Sequence, residues 1–291
     1  MRFAYAESMT DPSFYVPLAQ AAEDAGYDTF VVPDSICYPA EADSRYPYNA
    51  DGTREFLDDK PFLEPFAMIP ALGAVTTTLR FATFVVKLPI RHPVLVAKQA
   101  TTVAVMTGNR FDFGVGTSPW AEDYAVCDVP WEGRGKRMDE SMEIIRGLAA
   151  GGFFEYHGDV YDIPRIKLCP TPTEPLPLLV GGHGDAALKR AARLGDGWMF
   201  AGGATDDLAR MLERLDALRD EYGRADVPFS VYAGSIDGFS VDGIRRLEEL
   251  GVTDVIVGFR DPYVAGPDTQ TLQEKLDALR WYADEIITKT Q

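Results

Sequence analysis

The sequence predicts an α/β fold, a (β/α)8 TIM barrel with loop insertions at its C-terminal mouth, formed as one domain over residues 1–291. Three observations predict it. Eight short apolar runs are spaced along the chain, and most are followed by a segment of helical periodicity. A joint made of a helix end, a Gly stop and a buried run recurs, and two long aromatic loops follow strands, where a barrel carries its functional loops. A doubly wound sheet would need only five or six such units.

The runs are Arg2–Ala6, Thr29–Pro33, Arg80–Lys87, Arg110–Gly116, Leu178–Gly181, Gly197–Ala201, Pro228–Ser235 and Asp254–Phe259. After the first, Phe14, Leu18, Ala21 and Ala25 lie on one helical face. After the sixth, Leu208, Leu212, Leu215 and Leu218 do the same, Ser240 is placed to cap a helix carrying Ile244, Leu247 and Leu250, and the last helix carries Leu272, Leu276, Leu279 and Ile286. The recurring joint is Ala22 to Val32 and again Leu247 to Val257, with a short form at Arg193 to Trp198. Gly at the residue after the helix ends it without steric cost, and the continuous apolar runs that follow suit parallel strands covered on both faces.

Three stretches interrupt the rhythm. The loop Asp34 to Lys60 contains Arg45-Tyr46-Pro47-Tyr48-Asn49, and the loop Thr117 to Arg134 contains Trp120, Tyr124 and Trp131. Their position after strands and their aromatic content predict lids or pocket walls over an apolar or planar substrate. Between Gly152 and Pro177, aromatic runs on either side of His157-Gly158-Asp159 predict a hairpin, and four prolines carry the chain on to the fifth strand.

With 46% hydrophobic and 25% charged residues the chain can bury a large core, and its net charge of −17 argues against nucleic acid or anionic lipid as partners. Cys37, Cys127 and Cys169 are odd in number and far apart, which suits a reducing cytoplasm and neither disulfides nor zinc. His92, His157 and His183 have no ligand spacing, so no metal is expected. Residues Met1 to Asp11 lack the apolar core of a signal peptide, and no run approaches a membrane span.

The segment Leu178 to Phe200 carries the most chemistry. It reads as strand, Gly181-Gly182-His183-Gly184, helix and strand, an arrangement that offers backbone N–H groups and a positive helix end to a phosphorylated cofactor. The same glycines equally suit a tight turn, and these residues alone do not choose between the two.

The order of further motifs resembles the bacterial luciferase-like family, and within it the coenzyme F420 (deazaflavin) dependent oxidoreductases of actinobacterial type. The carriers are Pro89-Ile90-Arg91-His92-Pro93 with Ala97-Lys98-Gln99, Thr107-Gly108-Asn109-Arg110-Phe111 with Gly114-Val115-Gly116, Arg134 through Glu140, and Gly181-Gly182 with Ala191 through Trp198. The resemblance implies a cofactor lying across the barrel mouth and hydride exchange with a small organic substrate. It also implies a bulge with a non-prolyl cis peptide among Phe84, Val85 and Val86, a phosphate cradle at Gly181, Gly182, His183 and Gly184, and a second wall at Ala201, Gly202 and Gly203. Lys87 and Thr117 are expected to line the slot, and Lys87, Arg91 or Arg165 to form a cationic rim for the coenzyme's acidic tail. Many relatives end the second strand with Asp-His or Glu-His, whereas this chain has Asp34-Ser35. Asp34, Glu7 or Tyr46 is then the candidate for proton transfer. Residues Arg134 to Glu140 are expected to form a capped, ion-paired helix start. The resemblance leaves open an FMN-dependent monooxygenase or a non-catalytic flavin-binding barrel, and suggests a homodimer.

Overall fold

The computed structural model describes residues 1–49 and 52–290. Its strands are β1 (Arg2–Ala6), β2 (Thr29–Val32), β3 (Arg80–Thr83), β4 (Val86–Lys87), β5 (Phe111–Gly116), β6 (Phe154–His157), β7 (Asp162–Ile166), β8 (Leu178–Gly181), β9 (Gly197–Phe200), β10 (Ser230–Gly234) and β11 (Asp254–Val257). Parallel pairing runs β3-β2-β1-β11-β10-β9-β8-β5, and β5 pairs back to β3, so eight strands close into a ring. A helix follows each staff of the barrel: α1 (Tyr15–Asp24), α2 (Pro65–Gly73), α3 (Pro93–Met106), then, after the short lid helix α4 (Ala121–Val126), α5 (Arg134–Ala149), α6 (Asp185–Leu194), α7 (Thr205–Glu221), α8 (Val241–Glu249) and α9 (Leu272–Tyr282). This is the (β/α)8 barrel that the eight runs predicted. Among the described residues no helix is long and apolar enough to cross a membrane.

The period-two alternation of the strands sets the two layers of core. Ala4, Val31, Ala82, Leu179, Met199, Tyr232 and Ile256 point into the barrel, while their neighbours Phe3, Phe30, Phe81, Leu178, Trp198, Val231 and Val255 pack outward against the helices. Leu208, Leu212, Leu215 and Leu218 are the buried stripe of α7, and the Ser240 side chain caps α8 by accepting from Gly243 N. At the closed bottom of the barrel, Arg2 grips Asp254 through Nε and Nη2, both at 2.7 Å, and Tyr232 donates to Asp112 at 2.9 Å.

Three expectations are corrected. The third run is not one strand: Phe81 faces Phe111 but Val86 faces Val115, so this staff uses five residues where β5 uses four. The extra residue falls at a bulge containing the cis peptide Phe84–Val85, where the resemblance implied both. Gly114 lets the bulge approach, since a Cβ there would lie 1.8 Å from Thr83 O. Second, α5 has no side-chain cap; Gly133 precedes it with φ +70°. The ion pairing expected of Arg134 to Glu140 is present, since Lys136 pairs with Asp159 and Asp139 receives Arg190 and Arg193, while Glu140 accepts N–H bonds from Asp159, Val160 and Tyr161 to hold the turn of the β6–β7 hairpin. Third, the runs expected to reach Pro33, Ala201, Ser235 and Phe259 stop one or two residues earlier, because those residues turn into the loops of the mouth.

Candidate active site

A cavity of about 790 Å³ opens at the C-terminal ends of the strands. Its floor is the bulge. The Val85 side chain stands between two glycines, and a Cβ at Gly116 or Gly181 would fall 2.6 Å or 2.8 Å from a Val85 methyl. Glycine at both places therefore leaves one flat shelf of backbone flanking Val85. Beyond Gly181 the chain turns at Gly182 (φ +122°), a conformation that side chains rarely adopt, and Gly184 leads into α6 with no side chain capping the helix.

Of the residues expected at the site, Glu7, Asp34, Phe84, Val85, Lys87, Thr117, Gly181, Gly182, His183, Gly184 and Ala201 line this cavity, and Tyr46 lines it from the lid. Val86, Gly202 and Gly203 do not: Val86 points outward into the packed shell between barrel and helices, because the bulge leaves it on the opposite face from Val85.

His183 is fixed by its surroundings. Its Nε2 accepts the Ala201 N–H at 3.0 Å, so the ring proton sits on Nδ1, and the ring stacks on Phe200 with centroids 4.5 Å apart. Burial lowers its pKa and keeps it neutral, the form that bond needs.

The carboxylates at the strand ends are occupied. Asp34 accepts Lys87 N at 2.9 Å through one oxygen and Arg91 Nη2 at 2.9 Å through the other. Glu7 accepts Tyr5 Oη at 2.7 Å, Lys275 Nζ at 3.0 Å and Ser8 N at 3.1 Å. The Tyr5 phenol is driven upward in pKa by burial and then by Glu7, so it stays a donor. Lys275 also lies 2.9 Å from Asp268, which Arg260 approaches at 3.6 Å.

The expected cationic rim is not assembled. Lys87 turns to Asp123 at 2.7 Å, Arg91 to Asp34, and Arg165 lies out on the hairpin over Phe153. In each case a closer carboxylate or ring captures the charge. The cations beside the glycine turn are instead Arg134, at the start of α5, and Arg190, midway along α6. Arg190 pairs with Asp139, whereas Arg134 rests 3.7 Å over the Trp131 ring and has no carboxylate partner among the described residues.

The lids close the top. Tyr46 stacks on Trp120 with centroids 5.1 Å apart and planes 10° apart, joining the two aromatic loops, and Tyr48 meets the His183 ring edge-on at 4.9 Å. Tyr263, from the loop after β11, completes the cluster against Phe56 at 5.2 Å. Burial raises the pKa of Tyr46, Tyr48 and Tyr263, so all three are hydroxyl donors. Tyr263, Arg260 and Lys275 went unread in the sequence. In their loop Phe259 reads as the end of the eighth run and Tyr263 stands alone beyond it, and Lys275 sits on a helix whose periodicity shows only its apolar face.

A parallel barrel with a deep cavity at its strand ends is the arrangement of an enzyme that encloses a small molecule. Residues 3–236 match the model of the luciferase-like monooxygenases, and the chain belongs to that family. An uncharacterized protein of Mycobacterium tuberculosis is 59% identical over 289 residues, covering 99% of this chain and 100% of that protein. A protein of Nakamurella multipartita named F420-dependent glucose-6-phosphate dehydrogenase is 29% identical over 77% of this chain and 63% of its own length. Among solved structures, a monooxygenase from Streptomyces bottropensis has a TM-score of 0.78 at 14% identity, covering all of both chains. The coenzyme F420 dependent tetrahydromethanopterin reductase of Methanopyrus kandleri has a TM-score of 0.76 at 16% identity, covering 100% of this chain and 99% of that one. At those identities the structures speak for the fold.

Proposed function

We propose that this protein is an oxidoreductase that exchanges a hydride between coenzyme F420 and a small organic substrate. The observation that carries the reading is the shelf at Val85. Only glycine fits on either side of it, and it runs directly into the open turn Gly182–Gly184. Side chains at Gly116 and Gly181 would collide with Val85 and force it from the cavity floor, and Gly184 faces open space, with nothing within 4 Å of its would-be Cβ. The residues present therefore fit a planar cofactor with an anionic group, and the F420-dependent names among the relatives favour the deazaflavin over FMN.

Bound F420 supplies a ring carbon that gives or takes the hydride. The chain supplies position. Val85 and the flanking backbone support one face of the ring, the unpaired N–H groups at the start of α6 and the Arg134 guanidinium receive the anion, and the stacked Tyr46 and Trp120 keep water from the other face. Asp34 holds the backbone N–H of Lys87, which fixes the end of the bulge. With both oxygens of Asp34 and of Glu7 already filled, the phenols of Tyr46, Tyr48 and Tyr263, with the hydroxyls of Ser8, Ser35 and Thr117, are groups that can face a substrate oxygen.

Titration of the purified protein with F420 and with FMN, side by side, tests the assignment. F420 is expected to bind roughly tenfold tighter or more. Tighter binding of FMN, with oxygen uptake on reduction, would assign the protein to monooxygenase chemistry instead.

A further inference from the structure

We infer that the substrate end of this cavity takes an uncharged, largely apolar molecule bearing a hydroxyl or carbonyl, and refuses anionic substrates such as sugar phosphates. The inference rests on the hydride-exchange reading above and specifies the substrate class of the same site. It comes from how charge is divided along the cavity.

One end is electropositive. Gly182 and Gly184 present backbone there, α6 begins uncapped, and Arg134 is the lining cation that lacks a carboxylate among the described residues. The opposite end is an aromatic chamber of Met9, Tyr46, Phe56, Leu57, Trp120 and Tyr263, packed as a cluster separate from the barrel core. Three cations line the cavity on the chamber side, and each is neutralised; Arg54, outside the lining and 3.9 Å over the Trp120 ring, is itself paired with Glu122 at 3.3 Å. Lys87 lies 2.7 Å from Asp123, a carboxylate with no exposed surface. Lys275 lies 3.0 Å from Glu7 and 2.9 Å from Asp268. Arg260 donates to Ser8 O at 2.5 Å and stands 3.9 Å from Glu7 and 3.6 Å from Asp268. Lys87, Lys275 and Arg260 balance Asp123, Glu7 and Asp268 one for one, so the chamber has no net charge.

An anionic substrate would have to pull one of these cations from its carboxylate and leave that carboxylate buried without a partner, which costs more than the new contact returns. A neutral apolar molecule meets no such penalty. It gains area against the rings, and a single oxygen on it finds the phenols of Tyr46, Tyr48 or Tyr263. The chamber differs here from what a sugar phosphate requires, although a relative is named as a glucose-6-phosphate dehydrogenase.

The test uses a matched pair of fluorescent probes, naphthylmethanol and its ring-carboxylated analogue hydroxymethylnaphthoate, with glucose-6-phosphate as a third ligand. Binding is measured on the full chain in phosphate buffer, which fills the glycine end with inorganic anion. The alcohol is expected to bind roughly tenfold tighter or more than the carboxylate, and glucose-6-phosphate not to displace it. In Asp123→Asn, Lys87 is released, and affinity for the carboxylate should rise about tenfold. Should that variant fail to fold, Tyr263→Lys, which adds a cation at the half-buried mouth, should produce the same gain. Equal or tighter binding of the carboxylate by the wild type, no binding of either probe, or folded variants that gain nothing would each overturn the inference. The separate F420 titration distinguishes the two readings: loss of F420 binding with the alcohol preference intact removes the hydride reading and leaves the chamber's selectivity standing.

Discussion

Lys275→Met should destabilise the protein more than any surface substitution. Lys275 is 2% exposed and sits between Glu7 at 3.0 Å, Asp268 at 2.9 Å and Gln270 Oε1 at 3.2 Å. Methionine matches the stem but leaves two buried carboxylates that shared one cation, with Arg260 beside both at the longer distances of 3.9 Å and 3.6 Å. Breaking a buried pair from one side costs about 3–5 kcal/mol. For a chain of this size that lowers Tm by about 6–20 °C. Thermal unfolding followed by circular dichroism at about pH 7 reads the loss, and acid reads its cause. Burial works against the charged form of Asp268, yet Lys275, the Gln270 N–H and Arg260 outweigh it and hold its pKa below the ordinary 3.8. A carboxylate depressed in this way stabilises the fold above its ordinary value, and that stability is lost as pH falls through the folded-state value. Without Lys275 the depression shrinks, so the gap between wild type and variant should narrow on acidification toward about pH 3. Adding Glu7→Gln and Asp268→Asn to the variant should recover part of the loss. A loss below about 1 kcal/mol, or a gap independent of pH, would refute the reasoning.

Gly181→Ala places a methyl 2.8 Å from Val85 Cγ1, so F420 affinity should fall by roughly tenfold or more while the unfolding midpoint changes far less; titration and thermal melting separate the two. Glu140→Ala strips three N–H groups of the hairpin turn of their acceptor, and a loss of about 1–3 kcal/mol is expected, with faster proteolysis between β6 and β7. His183 is held neutral below its ordinary pKa of 6.5. Its contribution to stability is therefore present above that value and lost as pH falls through the folded-state pKa, and His183→Gln should flatten this part of the stability profile, as urea unfolding across the acid range would report.

The barrel was legible because its signals are local. A strand buried on both faces must be apolar throughout, a helix must stop before it, and Gly251 or Gly26 marks the stop, with φ +89° and +84°. The glycine turn at Gly181–Gly184 was legible for the same reason, since unusual backbone leaves glycine in the sequence. Partnership across the ring was not. Nothing near Glu7 in sequence announces Lys275, 268 positions away, and nothing near Lys87 announces Asp123. The cationic rim was misplaced on that account: Lys87 and Arg91 stand where the motif order put them, but the carboxylates that capture them come from other loops. Of the three residues expected at the bulge, Phe84 and Val85 reach the cavity and Val86 does not, because the resemblance locates a bulge without fixing at which residue the alternation resumes.

The carboxylates of the mouth resemble an acid–base set by residue type, yet their bonds make them fasteners. Glu7 joins the end of β1 to α9, which closes the ring where the chain's first and last strands meet. Asp34 joins the end of β2 to the backbone of β4 on the far side of the bulge, and Asp123 joins the lid helix α4 to Lys87 on the same strand. Three successive openings of the mouth are thus tied by charge, beside the aromatic cluster that packs the lids. Protonating one of these carboxylates would weaken the ion pair it holds, so the charged pairs act first to keep the shape of the cavity.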